Sequence, residues 1–145
     1  MGYSHPFTLP FRDTDMAGQM YFGAAFDIAH DAAEGFVVAL GINWKDWFGS
    51  DKTGVPIRHA EADFLRPLKG GAHYRVDVWI TRIGRTSVQL AFDIVDGLGS
   101  CARVRLVHAF LDKSTGLSTP IPVEIRSALV GYESSQEAPE RLTES

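Results

Sequence analysis

A chain of 145 residues is long enough for one domain with a sizeable core and too short for two ordinary ones. Its composition, 45% hydrophobic and 22% charged, excludes general disorder, and its best uninterrupted apolar run, residues 36–40, is far below bilayer length, so no membrane partner is expected. With 14 basic against 18 acidic side chains and a formal net charge of −4, no nucleic-acid partner is expected either, although a local basic patch for phosphates stays open.

Cys101 is the single cysteine, so no internal disulfide can form, and no Cys/His cluster has zinc spacing. No metal is expected, and the redox setting points to a reducing cytosol. The first six residues, Met1 to Pro6, lack the basic segment and apolar core of an export signal, which agrees with a cytoplasmic location.

Taken in order, Phe7, Leu9 and Phe11 alternate at period two and predict a short opening strand over His5 to Phe11, with Pro6 and Pro10 confining it to an edge. Asp13-Thr14-Asp15 follows as a turn. From Tyr21 the period changes: Phe22, Phe26, Ala29, Ala33, Phe36 and Leu40 recur at steps of four and three, which predicts a buried-face helix of about five turns, roughly 30 Å long. Gly41 supplies a stop suited to the left-handed position after a helix. On another line of that helix lie Gly23, Asp27, His30 and Glu34, either a solvated face or one wall of a site. Asn43 to Phe48 reads as one capped turn, with Trp44, Trp47 and Phe48 packing together.

Beyond the polar connector Ser50 to Gly54 the chain reads as strands. Val55 to Leu65 is one, closed by Arg66-Pro67 and Gly70-Gly71. Tyr74, Val76, Val78 and Ile80 mark the next, Val88, Leu90, Phe92 and Ile94 a third, and Val104, Leu106, His108 and Phe110 a fourth, each alternating with polar or smaller neighbours. Asp96-Gly97-Leu98-Gly99 joins the last two as a hairpin. The expected sheet is a largely antiparallel meander. Pro122 to Leu129 predicts a short terminal helix with Pro in its first turn, so the domain is expected over residues 1–130, and 131–145 is expected to be a polar, disordered tail.

Two readings stand for Asp13-Thr14-Asp15. The residues can cap a turn and a helix, or a carboxylate here can work beside the free N–H groups of the helix N-terminus, which could hold a developing oxyanion.

Context bears on that choice. The order of elements, together with Arg12-Asp13-Thr14-Asp15-Met16-Ala17-Gly18-Gln19-Met20-Tyr21-Phe22, resembles the hotdog-fold acyl-CoA thioesterases of the 4-hydroxybenzoyl-CoA thioesterase type, over roughly His5 to Leu129. Two stretches resemble the 1,4-dihydroxy-2-naphthoyl-CoA thioesterases in particular: His30-Asp31-Ala32-Ala33-Glu34 on the helix, with Asp31 in place of the group's Glu, and Pro56-Ile57-Arg58-His59-Ala60-Glu61-Ala62-Asp63-Phe64-Leu65-Arg66-Pro67. The turn that follows has Gly71-Ala72 where that group usually has Gly-Asp.

The resemblance implies an α+β single hotdog domain, a long central helix wrapped by a curved antiparallel sheet of about five strands. It implies a thioester hydrolase acting on an aromatic acyl-CoA, with coenzyme A as part of the substrate and no separate cofactor. Asp15 is then the nucleophile or general base, the backbone N–H groups of Phe22 and Gly23 the oxyanion donors, and Asp13 a turn cap. Tyr21, Asp27, His30, Glu34 and His59 are candidate substrate-binding positions, and Arg82 and Arg85 candidate contacts for the coenzyme A phosphates. His30 lies seven helical residues beyond Gly23, roughly 10 Å, a span that suits a hydroxylated ring and its carbonyl. A homodimer is the least assembly implied, and a homotetramer is consistent with the family. Aliphatic acyl-CoA or acyl-carrier-protein hydrolysis, and acyl-CoA binding without turnover, are the competing readings. A hydratase is disfavoured because its Asp-x-x-x-x-His arrangement is not evident.

Overall fold

The computed structural model describes residues 2–136. Its elements are β1 (Tyr3–Thr8), a 3₁₀ turn (Phe11–Asp13), α1 (Ala24–Ala39), α2 (Trp44–Phe48), β2 (Thr53–Gly54), β3 (Ile57–Phe64), β4 (His73–Ile83), β5 (Ser87–Asp96), β6 (Gly99–Ala109), β7 (Leu111–Asp112) and α3 (Val123–Ser135). Five strands form one antiparallel sheet in the order β1-β4-β5-β6-β3, and β2 and β7 pair as a two-residue ribbon. Only β4-β5-β6 is a meander. β3 pairs with β6, so the link from β3 to β4 crosses from one edge of the sheet to the other side, a departure from the simple succession expected.

Alternation along the strands decides what faces α1. Directly opposed residues share a face, and Val78, Phe92 and Val104 stack across β4, β5 and β6 on the buried side. Against them α1 lays Ala25, Ile28, Ala29, Ala32, Ala33, Phe36 and Val37. The alanines keep the helix close to the sheet, and Phe36, Phe92 and Phe110 fill the core with no exposed surface. Each such side chain contributes roughly 1.5–3 kcal/mol by burial.

α1 is shorter than its apolar spacing suggested. Tyr21 to Gly23 stay outside it, and Phe22 is 73% exposed rather than part of the stripe. The far end is as expected. Gly41 has φ +80°, its N–H donates to Val38, and the N–H of Ile42 donates to Val37, the paired closure that a left-handed glycine permits. Phe11 likewise leaves the opening strand for the 3₁₀ turn and is 92% exposed.

α3 runs six residues past the expected end at Leu129. Ile125 and Leu129 are buried, and the Tyr132 hydroxyl accepts from the Tyr3 N–H (2.7 Å) while donating to the Val78 carbonyl (2.9 Å). The amide of Gln136 then brackets Ile80, accepting from its N–H and donating to its carbonyl. Residues 131–136 therefore belong to the domain, and the rest of the expected tail lies outside the described residues. No helix among the described residues is long and apolar enough to cross a membrane.

Candidate active site

Residues 11–23 link β1 to α1, and main-chain bonds fix their path. The N–H of Asp13 donates to Pro10 and that of Thr14 to Phe11, forming the 3₁₀ turn. The next turn closes between Asp15 and Gln19, with the Asp15 N–H donating to the Gln19 carbonyl (2.8 Å) and Gly18 at φ +75°. Two further bonds tie this turn to the segment before β4: Met20 N–H to the Leu68 carbonyl (2.8 Å) and Gly70 N–H to the Gly18 carbonyl (3.0 Å).

Within the turn, Asp15 Oδ1 accepts from the N–H groups of Ala17 (2.9 Å) and Gln19 (3.3 Å). The capping role and the candidate catalytic role thus fall on one side chain: Oδ1 is committed to the turn, and Oδ2 of the exposed carboxylate is left to act. Asp13 holds the turn through its main chain, its carbonyl accepting from the Tyr21 N–H (3.1 Å). Its side chain makes no hydrogen bond among the described residues and lines a small cavity of about 190 Å³ with His5, Ile28 and Asp31. The expected cap function of Asp13 is therefore a backbone one.

Around the start of α1, the N–H groups of Tyr21, Ala24, Ala25 and Phe26 donate to backbone carbonyls, whereas those of Phe22 and Gly23 donate to no group among the described residues. Two free donors at a helix N-terminus are the arrangement that stabilises a developing negative charge. The Tyr21 ring covers Gly23 so closely that a Cβ there would lie 2.8 Å from Cε2. Asp15 itself borders a groove of about 930 Å³ whose walls include Leu9, Phe11, Met16 and Gly70. Phe11 and Met16 stand at its rim almost fully exposed, whereas Phe22, 73% exposed, lines a neighbouring groove with Phe64 and Leu65.

The remaining predicted positions separate into groups. Tyr21, Asp27 and His30 are exposed on the side of the molecule that α1 presents. His30 lies edge-on to Phe48 (centroids 6.0 Å) and near His108 (6.5 Å). Glu34 accepts a 2.6 Å bond from Trp44 Nε1, which fixes α2 against α1 and gives this carboxylate a structural task. His59 opposes Val107 and bonds Glu61 Oε1 at 3.3 Å, on the sheet face away from α1. A bulge between Ile57 and His59 sets that register, so within one chain His59 does not reach the wall carrying His30.

Arg82 and Arg85 sit at the β4–β5 turn, and from His73 to Arg82 the strand advances roughly 30 Å at about 3.3 Å per residue. In a single chain they are at the opposite end of the sheet from Asp15. Arg126 joins them there, its Nη1 donating to the Gly84 carbonyl (2.9 Å). Arg66 pins the β5–β6 hairpin, bonding both Asp96 oxygens (2.7 and 3.1 Å), and holds the Asp96 carboxyl well below the usual carboxylate range.

His108 was not among the predicted site residues, although the pattern contained its signal: a histidine at an inward position of β6, between Leu106 and Phe110. It is 1% exposed, and burial, assisted by the neighbouring His30, pushes its pKa down to about 3.

A central helix wrapped by a five-stranded antiparallel sheet is the hotdog architecture, and similarity to known proteins places the chain among its thioesterases. The chain belongs to the thioesterase-like superfamily, whose family model matches residues 9–129. The 1,4-dihydroxy-2-naphthoyl-CoA hydrolase of Nostoc punctiforme is 31% identical over 125 residues, spanning 86% of this chain and 84% of that protein. The 1,4-dihydroxy-2-naphthoyl-CoA thioesterase of Synechocystis superimposes with a TM-score of 0.82 at 20% identity, covering 90% of this chain and 96% of its own. A Staphylococcus aureus protein solved in complex with CoA superimposes with a TM-score of 0.88 at 16% identity, covering 100% and 94%.

Proposed function

We propose that this chain hydrolyses an aromatic, hydroxylated acyl-CoA to the free acid and CoA, as a homodimer or a higher homo-oligomer. The observation that carries this reading is the pair of unengaged N–H groups on Phe22 and Gly23, seven and eight residues after the anchored carboxylate Asp15. The thioester carbonyl oxygen accepts from these groups. In the general-base route Asp15 Oδ2 takes a proton from water, the water oxygen bonds to the carbonyl carbon, and the displaced electron pair becomes the oxyanion. Its collapse breaks the C–S bond, and the CoA thiolate leaves and is protonated. In the nucleophilic route Asp15 Oδ2 makes the first bond itself and the resulting mixed anhydride is cleaved by water.

The assembly is supported by the sheet. β3 is an edge strand, and Phe64 and Leu65 at its end are each 49% exposed. Two β3 strands paired about a two-fold axis place the Arg82–Arg85 end of one sheet beside the Asp15 end of the other, which brings the phosphate contacts to the thioester. His30 then faces the acyl ring.

The test is thiol release from hydroxylated aromatic, unsubstituted aromatic and aliphatic acyl-CoAs. Hydroxylated aromatic esters are expected to turn over fastest, and Asp15→Asn is expected to lower kcat by about 10²–10⁴, the usual range for a proton-transfer or nucleophilic group. Activity unchanged by Asp15→Asn overturns the mechanism, and no release from any ester supports binding without turnover. Single turnover in ¹⁸O-water labels Asp15 on the nucleophilic route when water attacks the aspartyl carbonyl of the anhydride, and never on the general-base route.

A further inference from the structure

β6 presents Val104, Leu106 and His108 to α1, and the polar member is the deepest in aromatic company. Trp47 stands edge-on to His108 at a centroid distance of 5.6 Å and to Phe110 at 5.3 Å, and Phe48 of the same short helix reaches His30. His30 lies over His108 with centroids 6.5 Å apart and ring planes 28° from parallel, and it is exposed while His108 is 1% and Trp47 2% exposed. The result is a cluster of rings, buried at His108 and Trp47 and exposed at His30.

Among the described residues, His108 Nδ1, His108 Nε2 and Trp47 Nε1 are all buried without a hydrogen-bond partner. Buried polar atoms are nearly always paired, because leaving them bare forfeits the bonds they made to water. An apolar side chain of similar volume would avoid that cost at position 108. A neutral imidazole offers one donor and one acceptor, and the indole one more donor. The imidazole acceptor and the indole donor together match a hydroxyl, which both donates and accepts.

We propose that His108 and Trp47 form the floor of a hydroxyl-recognition subsite behind His30, which takes a phenolic hydroxyl of the acyl ring. The imidazole accepts the O–H proton, and the indole N–H donates to the same oxygen. Helical side chains lean toward the helix N-terminus, so His30, the exposed side of the cluster, comes back toward Gly23, where the carbonyl of the acyl group would be held. This subsite rests on the acyl-CoA thioesterase reading and explains why a hydroxylated ring is selected.

The test compares kcat/KM for 4-hydroxybenzoyl-CoA and benzoyl-CoA in wild type, His108→Leu, His108→Gln and Trp47→Phe. The preference for the hydroxylated ester is expected to fall at least tenfold in His108→Leu, to fall several-fold in Trp47→Phe and to be largely retained in His108→Gln, which keeps a donor and an acceptor. A preference within twofold of wild type in His108→Leu overturns the subsite and leaves thioesterase activity standing. Binding to the wild-type protein is read separately by ¹⁵N-histidine NMR: 4-hydroxybenzoate is expected to move the His108 ring nitrogens and benzoate is not. Equal responses to the two acids overturn the proposal even if neither ester is hydrolysed, the outcome in which the thioesterase reading itself fails.

Discussion

The buried imidazole of His108 makes a quantitative prediction about acid stability. In the folded chain burial keeps it neutral down to about pH 3, whereas the unfolded chain takes up the proton near the ordinary value of 6.5. Between those values the unfolded state binds the extra proton, so stability falls as pH drops below 6.5 and the loss is complete near pH 3. Well inside that window each pH unit costs about 1.4 kcal/mol, and because the unfolded imidazole is already half protonated at pH 6.5, going from pH 6.5 to 4.5 removes about 2.3 kcal/mol through this one residue. That is a large share of the roughly 5–15 kcal/mol by which domains are stable. His30 and Trp47 face the ring, and Ile57 and Val88 oppose His108 across the neighbouring strands; of these only His30 carries an ionisable side chain. Urea unfolding of wild type and His108→Leu across pH 4.5–7.5 isolates the effect, because other histidines and carboxylates are common to both. The wild-type curve is expected to fall by about 2–3 kcal/mol more than the variant's over the two units below 6.5. Parallel curves would show that the folded chain accepts the proton at His108 with little penalty, and would refute the reasoning.

Two further outcomes follow from the site. Gly23 has φ −64° and ψ −26°, a helical conformation that alanine adopts freely, so Gly23→Ala should leave the melting temperature nearly unchanged while displacing the Tyr21 ring and lowering kcat about tenfold or more; an unaltered kcat would show that the ring is not part of the oxyanion site. Replacing Arg82 and Arg85 together with alanine should raise KM for acyl-CoA several-fold, with kcat little changed, and flatten the salt dependence of kcat/KM; an unchanged salt dependence would place the coenzyme elsewhere.

How much of this was legible in the chain depends on how local each cause is. The stop at Gly41, the cap in which Asn43 Oδ1 accepts from the Lys45 N–H, and the alternation of β4 to β6 are set by neighbouring residues, and all could be read directly. The start of α1 could not. Phe22 and Phe26 have helical spacing, but the Tyr21 N–H is bonded to the Asp13 carbonyl, and that contact holds the chain out of the helix. The pairing of β3 with β6 is decided by packing between distant segments, and the face on which His59 emerges by a one-residue bulge; neither leaves a mark in local periodicity. The extension of α3 depends on Tyr132 and Gln136 finding backbone partners on β1 and β4, so a polar stretch became ordered structure. At the site, Asp15 and the Phe22–Gly23 donors were marked by motif, whereas the distance of Arg82 and Arg85 from Asp15 emerged only once the strands had direction. His108 carried a visible anomaly, a polar residue at an apolar strand position, whose weight depended on the missing hydrogen-bond partners.

The turn bearing Asp15 is sewn to the segment before β4 by main-chain bonds at Met20–Leu68 and Gly18–Gly70. Backbone bonds are indifferent to which side chains the residues carry. Met16 and Phe11, which stand at the rim of the groove, can therefore be exchanged without moving the carboxylate. On the proposed mechanism this separates the carboxylate from the side chains at the rim, so that the groove can be reshaped at residues 11 and 16 while the position of Asp15 is inherited intact.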